Sequence, residues 1–226
     1  MKRIMNTVKL VGVLMLVTFG LYSCENEESE IERQSVIFPL NVGNSWTYET
    51  TTYNMNKPET NTFKMEIKNL YTIDGQKGFS SQEYIKGKPI SLLDNDNEGN
   101  CMEYLFNNDK LVHKTTIFKK NVKKGDKWIY KSAVYTNDDY SQYEIEEWEK
   151  VCSSSDTVIV TPKGSFRCVG FTYHIGGSGE VGESSGNTFI EYLSENIGRV
   201  KYLHYEHFSG KTVLFNEMVL TDYSLK

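Results

Sequence analysis

Apolar residues fall on every second position through much of this chain. Trp46 and Tyr48, then Phe63, Met65 and Ile67, then Trp128 and Tyr130 each put their side chains on one side of an extended backbone. That alternation is the mark of a strand with one buried face. Val158 and Val160 continue it before Pro162, and Phe166, Cys168 and Gly170 continue it afterwards. Lys201 to Phe208 and Thr212 to Leu220 are rich in Tyr, Val, Leu and Phe, which favours strands again. Asp74-Gly75 is a two-residue hairpin signal. Thr161-Pro162-Lys163-Gly164 reads as a type I turn with Gly164 left-handed, a three-residue loop. Its register sets Thr161 opposite Ser165, Val158 opposite Cys168 and His174 opposite Cys152. The pattern predicts an all-β antiparallel domain of about ten or eleven strands, in a curved sheet or a partly open barrel. Long loops are expected near 54–60, 87–100, 136–142 and 176–187.

The alternation also repeats itself. G-x-x-W-x-Y-x-x-x-x-Y occurs at Gly43, Trp46, Tyr48 and Tyr53, and again 82 residues later at Gly125, Trp128, Tyr130 and Tyr135. Glu103-Tyr104-Leu105 is echoed 88 residues later by Glu191-Tyr192-Leu193. Order and spacing agree, so two tandem pseudo-repeats are expected over about 39–120 and 121–208, sharing one core. In Tyr143–Cys152 the apolar residues Ile145, Trp148, Val151 and Cys152 also fit a helical face. The matching stretch of the first repeat alternates, so a strand is expected there.

The first 36 residues break this pattern. Lys2, Arg3 and Lys9 precede an apolar run from Leu10 to Leu21, about a dozen residues long, which suits a signal peptide and is too short to span a bilayer. Leu21-Tyr22-Ser23-Cys24 resembles the lipobox of bacterial lipoproteins, which implies lipidation of Cys24 as the new N-terminus after loss of 1–23. Several acyl chains anchor a protein stably where one is marginal. Glu25, Glu27, Glu28, Glu30 and Glu32 then crowd five carboxylates into eight residues, as expected of a flexible acidic tether over 24–36 leading to a single β domain over 37–226. Acidic residues just after the lipidated Cys resemble the surface-export signal of Bacteroidetes lipoproteins. Loss of Lys2, Arg3 and Lys9 with the leader moves the net charge from −5 to −8. That balance argues against nucleic acid or anionic lipid as partners.

Candidate chemistry is sparse. Cys101, Cys152 and Cys168 remain after lipidation; their odd number leaves at least one thiol unpaired and the predicted hairpin register disfavours a Cys152–Cys168 bond, so buried free thiols are expected, with one bridge as the alternative. Gly177-Ser178-Gly179-Glu180-Val181-Gly182 matches G-x-G-x-x-G, but loop residues follow where a dinucleotide site needs a helix. His204 and His207, three apart, face opposite sides of a strand and cannot share a metal. Asp94, Asp96 and Glu98 alternate like the ligands of a calcium loop, but Leu105 stands where a bidentate Glu belongs, so only weak affinity is expected. No cofactor is implied. Trp46 and Trp128 read as core, while Trp148 is a possible ligand platform.

Phe38-Pro39-Leu40-Asn41-Val42-Gly43-Asn44-Ser45-Trp46-Thr47-Tyr48 resembles the opening of many Bacteroidetes-type outer-membrane lipoproteins of unassigned role. Thr161-Pro162-Lys163-Gly164-Ser165-Phe166-Arg167-Cys168 and Ile197-Gly198-Arg199-Val200 are similar to later motifs of that group. The resemblance implies an outer-membrane, lipid-anchored protein with a curved antiparallel sheet or partly open barrel, for which the acidic run implies the extracellular face, and it brings no catalytic residues. Residues and resemblance together favour a non-enzymatic binding or interaction module for a protein, glycan or lipid ligand. A carrier of lipid or another apolar ligand in a half-open barrel is the alternative, and a polymer hydrolase ranks third.

Overall fold

The computed structural model describes residues 35–53, 57–80, 91–135, 143–176 and 185–226. Cys24, the acidic run and the G-x-G-x-x-G segment lie outside these. Among the described residues thirteen strands form in chain order: β1 (Ser45–Tyr53), β2 (Pro58–Glu66), β3 (Asn69–Ile73), β4 (Gln76–Ser80), β5 (Ser91–Asn95), β6 (Cys101–Asn107), β7 (Lys110–Phe118), β8 (Lys127–Tyr135), β9 (Tyr143–Thr161), β10 (Gly164–Ile175), β11 (Ser185–Ser194), β12 (Gly198–Phe208) and β13 (Lys211–Ser224). The all-β antiparallel expectation holds, including the strand reading of Tyr143–Cys152. The count exceeds ten or eleven partly because β5 lies inside the stretch read as the 87–100 loop. Leu92 and Leu93 sit side by side there, and five residues are too few to show a period. Strands β2 and β11 likewise begin inside the loops expected at 54–60 and 176–187.

Turn chemistry sets the hairpins. Asp74-Gly75, Asn108-Asp109 and Ser209-Gly210 all have positive φ at both central residues, joining β3–β4, β6–β7 and β12–β13 by two-residue loops. Those left-handed pairs match the twist of the strands they connect. The β9–β10 turn differs from expectation. Thr161 pairs with Gly164, not Ser165, so the loop is Pro162-Lys163 alone. That shorter loop sets Cys168 opposite Thr157, and bulges near Gly170 shift the register further and set Phe171 opposite Cys152. Cys101, Cys152 and Cys168 are free and buried, and burial raises their thiol pKa values, that of Cys168 to about 12.

The strands make two sheets. The larger has eight, in the order β2-β1-β13-β12-β11-β10-β9-β8, and the smaller has five, β3-β4-β5-β6-β7. Neither closes into a barrel. The chain leaves the larger sheet after β2, builds the smaller as a meander, and returns at β8. The main core lies between them, with Cys101, Ile117 and Phe118 of the smaller sheet against Trp46, Tyr48, Trp128, Phe171, Leu193, Val200 and Leu220 of the larger. Segment 35–40 plugs one end of this core with Ile37, Phe38 and Leu40. The Ile37 N–H donates to Gly99 O (3.0 Å), and the Asn196 N–H donates to Val36 O (2.8 Å), so this segment ties loops of both sheets together. A Cβ on Gly99 would lie 2.4 Å from Ser35 O, which with its φ of 83° requires glycine there.

Both G-x-x-W segments adopt one local geometry. Gly43 N donates to Ile67 O and Ile67 N to Asn44 O; Gly125 N donates to Cys152 O and Cys152 N to Asp126 O, all at 2.8–2.9 Å. Asn44 N and Asp126 N each close back on the residue three earlier, at 3.0 Å. Trp46 and Trp128 are both buried, and their indole N–H groups donate to the carbonyls of Ile197 (2.6 Å) and Thr116 (3.0 Å). Beyond the hairpins the segments diverge. Residues of β3–β7 form the second sheet, whereas β10 and β11 continue in the first.

Candidate binding face

Register pairing across the larger sheet aligns inward side chains into rows. One row runs from Trp128 through Lys150, Tyr173, Phe189 and His204 to Asn216. Aromatic rings form a ladder along and beside it. Centroids lie 5.6 Å apart from Tyr130 to Trp148, 6.2 Å from Trp148 to Tyr173, 4.9 Å from Tyr173 to Phe189, 4.5 Å from Phe189 to His204 and 5.1 Å from His204 to Phe215. Their spacing follows that of neighbouring strands. The three central pairs are stacked, with interplanar angles of 18°, 17° and 22°. All six rings are only partly buried. Trp148, Tyr173, Phe189, His204 and Phe215 stand outside both clusters of buried core residues and the apolar side chains packed against them.

This arrangement changes the reading of Trp148. A sugar platform offers an open ring face, whereas Trp148 has Tyr173 against one face and Tyr130 tilted beside it. Its indole N–H donates to Glu146 at 3.1 Å. It is one rung of the ladder.

A charged seam divides the ladder from the core. Lys150 Nζ donates to Glu191 Oε2 at 3.0 Å, and Arg199 Nη2 donates to Glu191 Oε1 at 2.6 Å. Lys150 and Glu191 side chains are 3% and 4% exposed, that of Arg199 28%. The ammonium of Lys150 also lies 4.3, 5.0 and 4.8 Å from the ring centres of Phe118, Tyr130 and Tyr173. Such a desolvated cage contributes on the order of 2 kcal/mol and stands in for the hydrogen bonds the ammonium lacks. Burial pushes the Lys150 pKa down against the opposing pull of Glu191. Burial also works to raise Glu191, but Lys150 and Arg199 outweigh it and hold this carboxyl below its ordinary value. Glu103, reaching in from β6, behaves oppositely. Burial raises its pKa, although Tyr130, which donates to it at 3.2 Å, and Ser91 both favour the anion. Burial raises Tyr202 beside Arg199 to about 12.

The alternating acidic loop does not gather a cation site. Asp96 Oδ1 accepts from the N–H groups of Glu98 and Asn100 at 2.9 Å, and its Oδ2 accepts from Asn100 Nδ2 at 2.9 Å. Asp94 Oδ1 accepts from Asn95 N at 2.9 Å, and Glu98 Oε2 from Asn100 Nδ2 at 3.2 Å. These carboxylates close their own turn, and among the described residues no three His, Cys, Asp or Glu side chains are placed to hold a metal. His204 joins the ladder, with Nε2 2.8 Å from Asn187 Oδ1. His207 sits elsewhere, between the hydroxyls of Thr188 (2.6 Å) and Thr212 (2.9 Å).

The seam was missed in the sequence, although a signal for it existed. Lys150 shares the inward parity of Trp148 and Cys152, and Glu191 that of Phe189 and Leu193. A charge at an inward position of an alternating strand must find a buried partner.

No family model and no curated protein matches the chain. Two solved structures resemble it: a candidate lipoprotein from Parabacteroides distasonis ATCC 8503 and a candidate exported protein with a YmcC-like fold from Bacteroides fragilis NCTC 9343. The first is 14% identical, covering 84% of this chain and 99% of that one with a TM-score of 0.39. The second is 14% identical, covering 84% of this chain and 100% of that one with a TM-score of 0.45. Nothing about the site is carried over from either.

Proposed function

We propose that this chain is a cell-envelope lipoprotein, anchored through Cys24 in the outer membrane with its β domain on the extracellular face, and that it acts as a non-enzymatic binding module. The part of the ladder beyond the inter-sheet core, from Trp148 to Phe215, carries this reading, because partly exposed aromatic surface is costly to keep without a ligand. The leader, the lipobox-like Leu21–Cys24 and the acidic run support the anchor. Cys24→Ala should abolish acyl labelling. Changing the five Glu residues between 25 and 32 to Gln should leave the domain protected from protease on intact cells if the run is an export address.

A second reading, a carrier of an apolar ligand, is favoured by the stacking itself. Rungs that cover each other's faces leave a strip of edges, which suits an extended apolar body better than a flat sugar ring. The ligand surface is tested with the fluorescent apolar probe N-phenyl-1-naphthylamine. Phe189→Ser should weaken its binding at least about fivefold, roughly 1 kcal/mol, with the far-ultraviolet spectrum unchanged. Equal binding by both proteins would remove the ladder as the ligand face.

A further inference from the structure

The charged seam beside the ladder leaves hydrogen-bonding capacity unused. Glu191 gives one oxygen to Lys150 and the other to Arg199, so two cations share one carboxylate. Arg199 makes no other side-chain hydrogen bond among the described residues, and its Nε is buried without a partner. A guanidinium carries five N–H donors in a planar fork that matches a carboxylate. Glu103, the next acid, is engaged by the Tyr130 hydroxyl, and burial favours its neutral form. Arg199 is also the most exposed member of the trio, and its guanidinium lies 5.8 Å from the ring centre of Tyr202, which itself neighbours Phe189 at 6.1 Å. The cation therefore stands at the edge of the apolar ladder.

We infer that the ligand is an amphipathic carboxylate, its apolar body along Tyr173, Phe189 and His204 and its carboxylate paired with Arg199. This rests on the ladder being the ligand face. An apolar molecule gains there by burying surface. One that also carries a carboxylate supplies the anion that the seam lacks, in a setting where a charge-assisted bond is strong. A neutral ester of the same shape gains only the first term.

The test compares cis-parinaric acid with its methyl ester by fluorescence titration at pH 7.5, using the whole β domain with its tether. The acid should bind about tenfold more tightly, the equivalent of about 1.4 kcal/mol. Arg199→Met should bring acid and ester within about twofold of each other while leaving the ester unchanged, and Arg199→Lys should keep the preference. Should Arg199→Met fail to fold, the wild-type acid preference and its weakening between 50 and 500 mM salt, roughly a fall in Debye length from 14 to 4 Å, decide the matter. Equal affinity of the wild-type protein for acid and ester overturns the inference and leaves the ladder reading standing. Binding of neither probe removes both.

Discussion

Along the inner face of the larger sheet, the rows holding Trp46, Tyr48 and Leu220 and the row from Tyr173 to His204 use similar residues under opposite conditions. The first are sealed at 0–1% exposure beneath the smaller sheet and segment 35–40. The second stack on one another and keep part of their surface open. One strand can serve both purposes. In β10, Phe171 belongs to the sealed part and Tyr173, two residues on, to the ladder. Alternation therefore fixes which face a side chain takes, while the reach of the smaller sheet fixes whether that face is core or binding surface.

The sharpest way to break this contrast is to cut on the sealed side. Trp46→Ala should cost about 3–5 kcal/mol by urea unfolding, since it empties a fully buried site and orphans the Ile197 carbonyl. A loss below about 1 kcal/mol would mean the sealed rows do not carry the fold. At the seam, Glu191→Gln should cost about 3 kcal/mol or more, because Lys150 is left buried, and Arg199 half-buried, without their anion. Glu103→Gln should change stability by less than about 1 kcal/mol, as burial already favours its neutral form. Similar losses for both substitutions would contradict the different pKa directions of these glutamates. In the ladder, Phe189→Ala should cost only about 1–2 kcal/mol while removing probe binding. The reverse pattern, large in stability and absent in binding, would make the ladder core.

The smallest effect is in pH dependence. Burial holds His204 below the ordinary histidine pKa, with Glu206 opposing. Its stabilising contribution is complete above about pH 6.5 and falls as the pH drops below that, because the unfolded chain takes up its proton first. His174 is shifted the same way, with His207 adding to the effect of burial. His204→Gln should thus flatten only part of the stability loss between pH 7.5 and 5.5. A steeper loss in that variant would show that the ladder favours the protonated ring.

The fold was largely legible and the site only in outline. Trp46, Tyr48, Trp128 and Tyr130 announced strands and buried faces because period-two alternation is a local property. Asp74-Gly75 announced its hairpin because only certain residues accept left-handed backbone. The register at Thr161–Gly164 was misjudged by one residue because a turn tolerates a two-residue loop or a bulged one from the same letters. The seam depends on Glu191 meeting Lys150 across 41 positions and Arg199 across eight. Strand parity could flag each charge as inward, but not which partner it meets. The stacking that makes Trp148 a rung required the order of six strands, which alternation alone does not specify.

The pairing of β1 with β13 has a kinetic consequence. Strands β8 to β13 form as successive hairpins, each between near neighbours in sequence. The β1–β13 joint brings together Ser45 and Ser224, so it must close a very long loop after the meander is already available. Refolding should therefore show early strand formation reported by the ladder rings and a later step in which Trp46 becomes buried. For a chain delivered from its N-terminal end, the larger sheet is not complete until β13 arrives. Until then the edge of β1 that β13 will occupy has no partner and is the surface most exposed to mispairing with other chains.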